Sequence, residues 1–311
     1  MNRTLSALFL LPCLAAAQQP TLPEAKPQSE QRFAVGKWPE GVVVVGGSTW
    51  VAQSGVRSVG QFDVGGVLKK TIGIGRLPVS MAVGPEGTVL VSVHTDGVLK
   101  RIDPKSGKAS VLAKFPDGPE EMVVDGEHAF VLLWKDHSSV GSSVLRVPLG
   151  KGGKVTRSGE TGKDAFGLAA CEGQVWVALA GGQLVQLDGA SLEIKATVEV
   201  GGRPMQVACS TGAVFGGGGS RVVRVAGGQV SQTVELSAPV AALGAWDDLL
   251  AVATDEGTVW ILDPATLAIR HRLQASAPFR AQAMARDGQS LLLTAHNGNE
   301  AGLVVRVALP Q

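Results

Sequence analysis

A phrase of about forty residues recurring seven times, four strand-like runs in each recurrence, and an excess of glycine predict an all-β fold. The expected architecture is a seven-bladed β-propeller with four-stranded blades. The chain has 311 residues, of which 41 are glycine, nearly twice the roughly 7% of an average protein. Helices tolerate that much glycine poorly, whereas turn-rich sheets need it.

The recurring phrase is a Pro or its stand-in, a short apolar run, a turn and a second apolar run. It starts at Pro39, Pro78, Pro119, Ala165, Pro204, Pro239 and Pro278, at intervals of 39, 41, 46, 39, 35 and 39 residues. The longest interval contains an insertion, Lys135–Ser143. The second unit divides into Val79–Val83, Thr88–Val93, Val98–Asp103 and Ala109–Phe115. Its separators, Pro85-Glu86-Gly87, Thr95-Asp96-Gly97 and Pro104-Lys105-Ser106-Gly107, are turn formers because Gly and Asp accept positive φ. The seventh unit has only three runs after Pro278. Gln31–Val35 is expected to supply its outer strand and close the ring, which removes the sheet edges of an open array.

The third run of each unit carries a polar residue between apolar neighbours: Gln61, Arg101, Arg146, Gln186, Arg224 and Arg306, with Ile261 in the sixth. This is strand alternation. A ring of cations for a ligand is one reading. The preferred one is a structural row tied between neighbouring sheets, since a buried Arg needs partners.

Met1–Ala17 reads as an export signal: Arg3, an apolar run Leu5–Leu14, then Ala15-Ala16-Ala17. The run is shorter than the roughly 20 residues of a membrane-crossing helix. Pro12 occupies the place where lipidation of Cys13 would want a small residue. Residues 18–30 read as a flexible linker and residues 31–311 as the propeller. A periplasmic or secreted, monomeric protein is expected. The full chain has 28 Lys+Arg against 27 Asp+Glu, no Tyr, 8 Phe and 6 Trp. That balance argues against nucleic-acid binding, which wants a basic stripe and stacking aromatics. The 45% hydrophobic content excludes a disordered chain.

The segment TIGIGRLPVSMAVGPEGTVLVSV at Thr71–Val93 and the unit VWILDPATLAIRHRLQASAPFRAQAMARDGQSLLLTAH at Val259–His296 resemble YVTN-type seven-bladed propeller repeats of exported bacterial proteins. GSTWVAQSGVRSVGQFD at Gly47–Asp63 is also similar to blades of virginiamycin B lyase-type propellers. The resemblance spans roughly Gln31 to Pro310. It implies the fold, and it leaves function open because such propellers host binding proteins, lyases and lactonases. The Tyr-Val-Thr-Asn tetrad itself is absent. The lyase-like motif Trp-Phe-Thr-Glu is replaced by Trp-Val-Ala-Gln at Trp50–Gln53 and Trp-Val-Ala-Leu at Trp176–Leu179, without the acid.

A propeller gathers its blade-entry loops and its second-to-third-strand loops on one face. The entry loops supply Trp38, Glu40, Arg76, Glu120, Arg203 and Arg280; the others supply His94, Asp96, His137, Asp255, Glu256 and His296. Trp38, Arg76, Arg203, Arg280, His94 and His296 are the candidate ligand-binding residues. Trp38 would stack on a ligand or plug the channel mouth. His94, His137 and His296 with Asp255 are the candidate metal ligands, although their spacing carries no local signature and exposed loop residues are the plainer reading. Gly216–Gly219 lacks the Lys-Ser/Thr and helix of a phosphate loop and is expected to form a wide loop. No Cys-x-x-Cys-His is present to attach haem. Cys171 and Cys209, about one blade apart, are either a bridge between blades four and five or two small buried residues.

The expected function is a non-enzymatic, exported binding or scaffold propeller without a cofactor, recognising a protein or small-molecule ligand on the loop face. The alternative is a metal-dependent lyase or lactone hydrolase at the channel mouth.

Overall fold

A computed structural model describes residues 30–134, 141–210, 212–274, 280–296 and 302–310. The expected leader, nearly all of the linker, Cys13 and His137 lie outside them. The described chain forms seven four-stranded antiparallel sheets. The inner strands, which lead each blade, are Pro39–Val45, Pro78–Val83, Gly118–Asp125, Ala165–Cys171, Gln206–Ser210, Val240–Trp246 and Arg280–Asp287. They pack against one another around a central channel, and each forms one end of its sheet.

The ring closes as expected. Glu30–Ala34 pairs antiparallel with Leu303–Ala308, with Phe33 opposite Val304, and becomes the outer strand of blade 7. The strand starts at Glu30, one residue before the anticipated Gln31. Phe33 then meets Phe62 of blade 1, ring centroids 5.4 Å apart. The closing strand is thus fastened by a backbone ladder on one side and an aromatic contact on the other.

Burial explains why so many strands read as unbroken apolar runs. Each sheet is covered on both faces by its neighbours, so Val89–Val93 and Leu249–Thr254 are buried along their whole length. The core is seven clusters, one in each gap between blades. Trp50 and Trp176 are buried members of two of them. Two of the third-strand polar residues tie neighbouring sheets together, while Gln61 and Gln186 bond within their own blades. Arg224 Nε donates to the Pro264 carbonyl of the next blade at 3.0 Å, and Arg101 donates to the Leu149 carbonyl. Arg306 pairs with Asp287 at 2.6 Å within blade 7.

The turn between third and fourth strands shows how sequence builds the blade. Asp188 Oδ1 accepts the backbone N–H groups of Ala190 and Ser191, and Asp263 Oδ1 those of Ala265 and Thr266. Such Asx turns cap the strand and reverse the chain. Leu192 and Leu267 follow, with positive φ and buried side chains.

One local expectation is corrected. Gly216, Gly217 and Gly218 belong to the strand Ala213–Gly218, and all three are buried. A Cβ at Gly218 would lie 1.8 Å from the Arg203 carbonyl oxygen. The glycines let the entry backbone press onto the strand; they do not widen a loop. Cys171, which ends the inner strand of blade 4, and Cys209, one residue before the end of that of blade 5, are joined by a disulfide, their Cα atoms 6.2 Å apart.

Candidate functional site

The channel mouth is shaped by a repeated backbone irregularity. Six of the seven inner strands shift register against their second strand close to the entry end, between Pro39 and Val42, Pro78 and Met81, Pro119 and Met122, Ala165 and Gly167, Val240 and Ala242, and Ala281 and Ala283. A β-bulge inserts residues that have no partner across the ladder and re-aims their side chains. The bulged segments carry Glu40, Ser80, Glu120, Glu121 and Gln282. Four of these, all but Glu120, line a channel cavity of about 450 Å³ to which all seven inner strands contribute. That volume falls in the range of small-molecule sites, roughly 300–1,000 Å³.

The entry loops are held by a second repeated device. The carbonyls of Trp38, Leu77, Asp164 and Pro239 accept the backbone N–H of Ser54, His94, Ala180 and Asp255, at 2.9 to 3.0 Å. Each bond ties an entry loop to the second-to-third-strand loop of the same blade. Trp38, Leu77 and Asp164 have positive φ. Left-handed backbone at a non-glycine residue costs on the order of 1–3 kcal/mol and persists where the surroundings over-determine it.

Glu121 is the deepest acid. Its Oε1 accepts from Ser80 Oγ at 2.6 Å and from the Met122 N–H at 3.1 Å. Ser80 is itself fixed, its N–H donating to Ser92 Oγ at 3.0 Å. The ring encloses Glu121 on every side, although the channel leaves it in touch with solvent. Desolvation therefore dominates and pushes its carboxyl up to about 7, against the Ser80 and Met122 hydrogen bonds and with help from the nearby Glu120 charge. Glu40, on blade 1 in the same cavity lining, is raised for the same leading reason. Ser54 Oγ, 3.4 Å away, lowers it, and Glu120 raises it further.

His94 stands just beyond a blade 2 strand, with Nδ1 2.9 Å from Glu120 Oε2 of blade 3. Its pKa is raised, first by the hydrogen bond to Glu120, against partial burial. The imidazole fits because position 118 is glycine: a Cβ there would lie 2.5 Å from His94 Cε1. Trp134 flanks it at a ring separation of 5.9 Å. At the rim, Arg76 Nε pairs with Asp96 Oδ1 at 2.8 Å, and its backbone N–H reaches Asp96 Oδ2 at 3.0 Å. The guanidinium holds the Asp96 carboxyl below its usual range.

The other candidates are placed less centrally. Trp38 is 43% exposed and stands outside the cavity wall, at an entry loop. Arg203 is exposed, and its carbonyl crosses the glycine strand of blade 5. Arg280 opens the inner strand of blade 7 opposite His296. Asp255 is half-buried, tied through its backbone to Pro239. Among the described residues no three His, Cys, Asp or Glu side chains converge as a metal site. His94 is brought to Glu120, and Arg76 to Asp96; the structure does not bring His94, His296 and Asp255 together.

Sequence reasoning passed over Glu121, Ser80, Gln206 and Gln282, which line the cavity. The one available signal was Glu120-Glu121 at the head of an apolar run, PEEMVV, where a buried strand has no ordinary use for two acids.

Neither a protein-family model nor a curated protein matches the sequence. Solved structures share the fold. A streptogramin B lyase structure superposes with a TM-score of 0.74 at 11% identity, covering 90% of this chain and 97% of that one. Virginiamycin B lyase from Staphylococcus aureus does so with a TM-score of 0.71 at 13% identity, covering 91% and 99%. A computationally designed protein gives 0.65 at 12% identity, covering 89% and 99%. At such identities the likeness is one of fold.

Proposed function

We propose that this chain is an exported, non-enzymatic binding propeller that captures a small ligand at its channel mouth. The observation that carries the reading is the set of bulges that turns polar side chains from several blades into one cavity of about 450 Å³. The rim pairs support it: Arg76 with Asp96 and His94 with Glu120 are already matched, so they frame the mouth without needing a ligand. The blade phrases support membership among YVTN-type repeat propellers, and the leader-like Met1–Ala17 supports a periplasmic or secreted location.

Three of the five methionines, Met81, Met122 and Met284, line the cavity. Methyl-labelled methionine spectra therefore report on the channel directly. Titrating a fragment collection is expected to yield compounds that move these three signals and are recovered unchanged. Binders that shift only signals elsewhere would remove the channel from the reading.

The His94–Glu120 pair favours the enzymatic alternative, because a histidine with a raised pKa held by a carboxylate can move a proton. Lactone opening or elimination that is lost in His94→Ala would establish it.

A further inference from the structure

The cavity has a definite chemical sign, and this bears on the class of ligand. Among the described residues the charged side chains that line it are both acids, Glu40 and Glu121. Glu121 presents one satisfied oxygen and one free one. Oε1 takes the Ser80 and Met122 hydrogen bonds, while Oε2 has no hydrogen-bond partner among the described residues. A carboxylate oxygen without a partner in the chain and open to a cavity can accept from a guest's donor. The Gln206 and Gln282 amides also line the space, and neither makes a side-chain hydrogen bond among the described residues. Each inner strand is the edge of its sheet, so backbone N–H and C=O groups face the channel too. An apolar guest would leave all of these unpaired, and among the described residues no three His, Cys, Asp or Glu side chains converge to hold a bare metal ion.

We infer that the channel mouth receives a small polar organic cation, an ammonium carried on a hydroxyl- or amide-bearing body. The ammonium donates to Glu121 Oε2, with Glu40 two blades away in the same lining, and the body satisfies Gln206, Gln282 and the strand edges. This rests on the binding reading above and names its ligand class.

Proton linkage follows from the same groups. Glu121 faces Glu120 on its own strand and Ser80 on blade 2, with Glu40 beyond on blade 1; His94 holds Glu120, and Arg76 with Asp96 stands at the rim. A cation favours ionised Glu121, so binding displaces a proton and tightens as pH rises through its titration.

The test uses one polyol body with three charges: N-methylglucamine, sorbitol and gluconate, each titrated into the full chain with the Met81, Met122 and Met284 methyl signals as readout. At about pH 8, N-methylglucamine is expected to bind at least tenfold more tightly than sorbitol, with gluconate weakest. Glu121→Gln is expected to lose about tenfold in N-methylglucamine affinity at pH 8 and little at about pH 5.5, where Glu121 is already neutral. Unchanged methyl dispersion verifies its fold, and Glu40→Gln, nearer the surface, is expected to lose less. Equal affinity of Glu121→Gln at pH 8 overturns the inference, as does magnesium chloride moving the signals as far as N-methylglucamine. If sorbitol or gluconate moves the three signals and N-methylglucamine does not, the binding reading survives and the cation is wrong. If none of the three moves them, both fall.

Discussion

His94 Nδ1 and Glu120 Oε2 stand 2.9 Å apart across the gap between blades 2 and 3. A side chain from a loop is thereby fixed by the inner strand of the next blade, and two units of the repeat share one electrostatic element. The raised His94 pKa sets the sign of its effect. The pair's contribution to stability is complete below the unfolded value, about 6.5, and disappears as pH climbs through the folded value. Glu120→Gln is expected to shift His94 titration to lower pH in imidazole NMR. Gly118→Ala should act in the same direction without touching a charge, because its Cβ would occupy the ring's place. Titration at an unchanged pH in both variants would refute the pairing.

Glu121 gives a pH dependence of the same sign, from a different cause: burial of its own charge. Its carboxyl is held at about 7 in the folded chain, from 4.5. Below 4.5 it is neutral in both states and costs nothing. Above about 7 it is ionised in both, and the folded state is then destabilised by roughly 3 kcal/mol. Glu121→Gln keeps an acceptor for Ser80 and removes the charge. Urea unfolding should show the variant gaining on the parent chain as pH rises from about 5 to about 8. A difference that stays flat over that range would contradict the burial of the charge.

The closing strand is expected to govern the ring's weakest seam. Phe33→Ala removes the ring that meets Phe62 and should cost about 3 kcal/mol. Amide exchange should quicken first in Leu303–Ala308, the strand that pairs with Glu30–Ala34. Unchanged exchange there, with loss concentrated in another blade, would mean that the ring does not open at this seam.

The disulfide is open to a direct check. Intact mass is expected to rise by about 2 Da on reduction and unfolding, and a digest without reductant to yield the Cys171 and Cys209 peptides linked together. The double Cys→Ala chain should lose about 2–4 kcal/mol, the usual range for a native bridge. An identical mass with and without reductant would show that the thiols are free.

Two carboxylates make plain how much was legible from residues alone. Asp263 declared its role by position, at the end of a strand and before Pro-Ala-Thr, because an Asx turn depends on neighbours in the chain. Its carboxyl is held at about 2, first by the Arg270 hydrogen bond. Glu121 declared almost nothing. Its character depends on a bulge at Pro119 to Met122, a serine 41 residues earlier and the enclosing ring. Blade count, turn chemistry and ring closure rest on periodicity and local hydrogen bonding, which a linear string records. The glycine strand of blade 5 was misread because a glycine run looks alike in a loop and beneath a crossing backbone.

From the order of its residues alone, this chain committed itself to seven sheets, their turns and the pairing of its first strand with its last, since apolar alternation and turn geometry act over a few residues. Only the closed ring decided which polar groups face one another. A register shift of a single residue at an inner strand re-aims a side chain, and the exclusion of water around it by the enclosing ring then shifts its charge; both are properties of blades meeting in space.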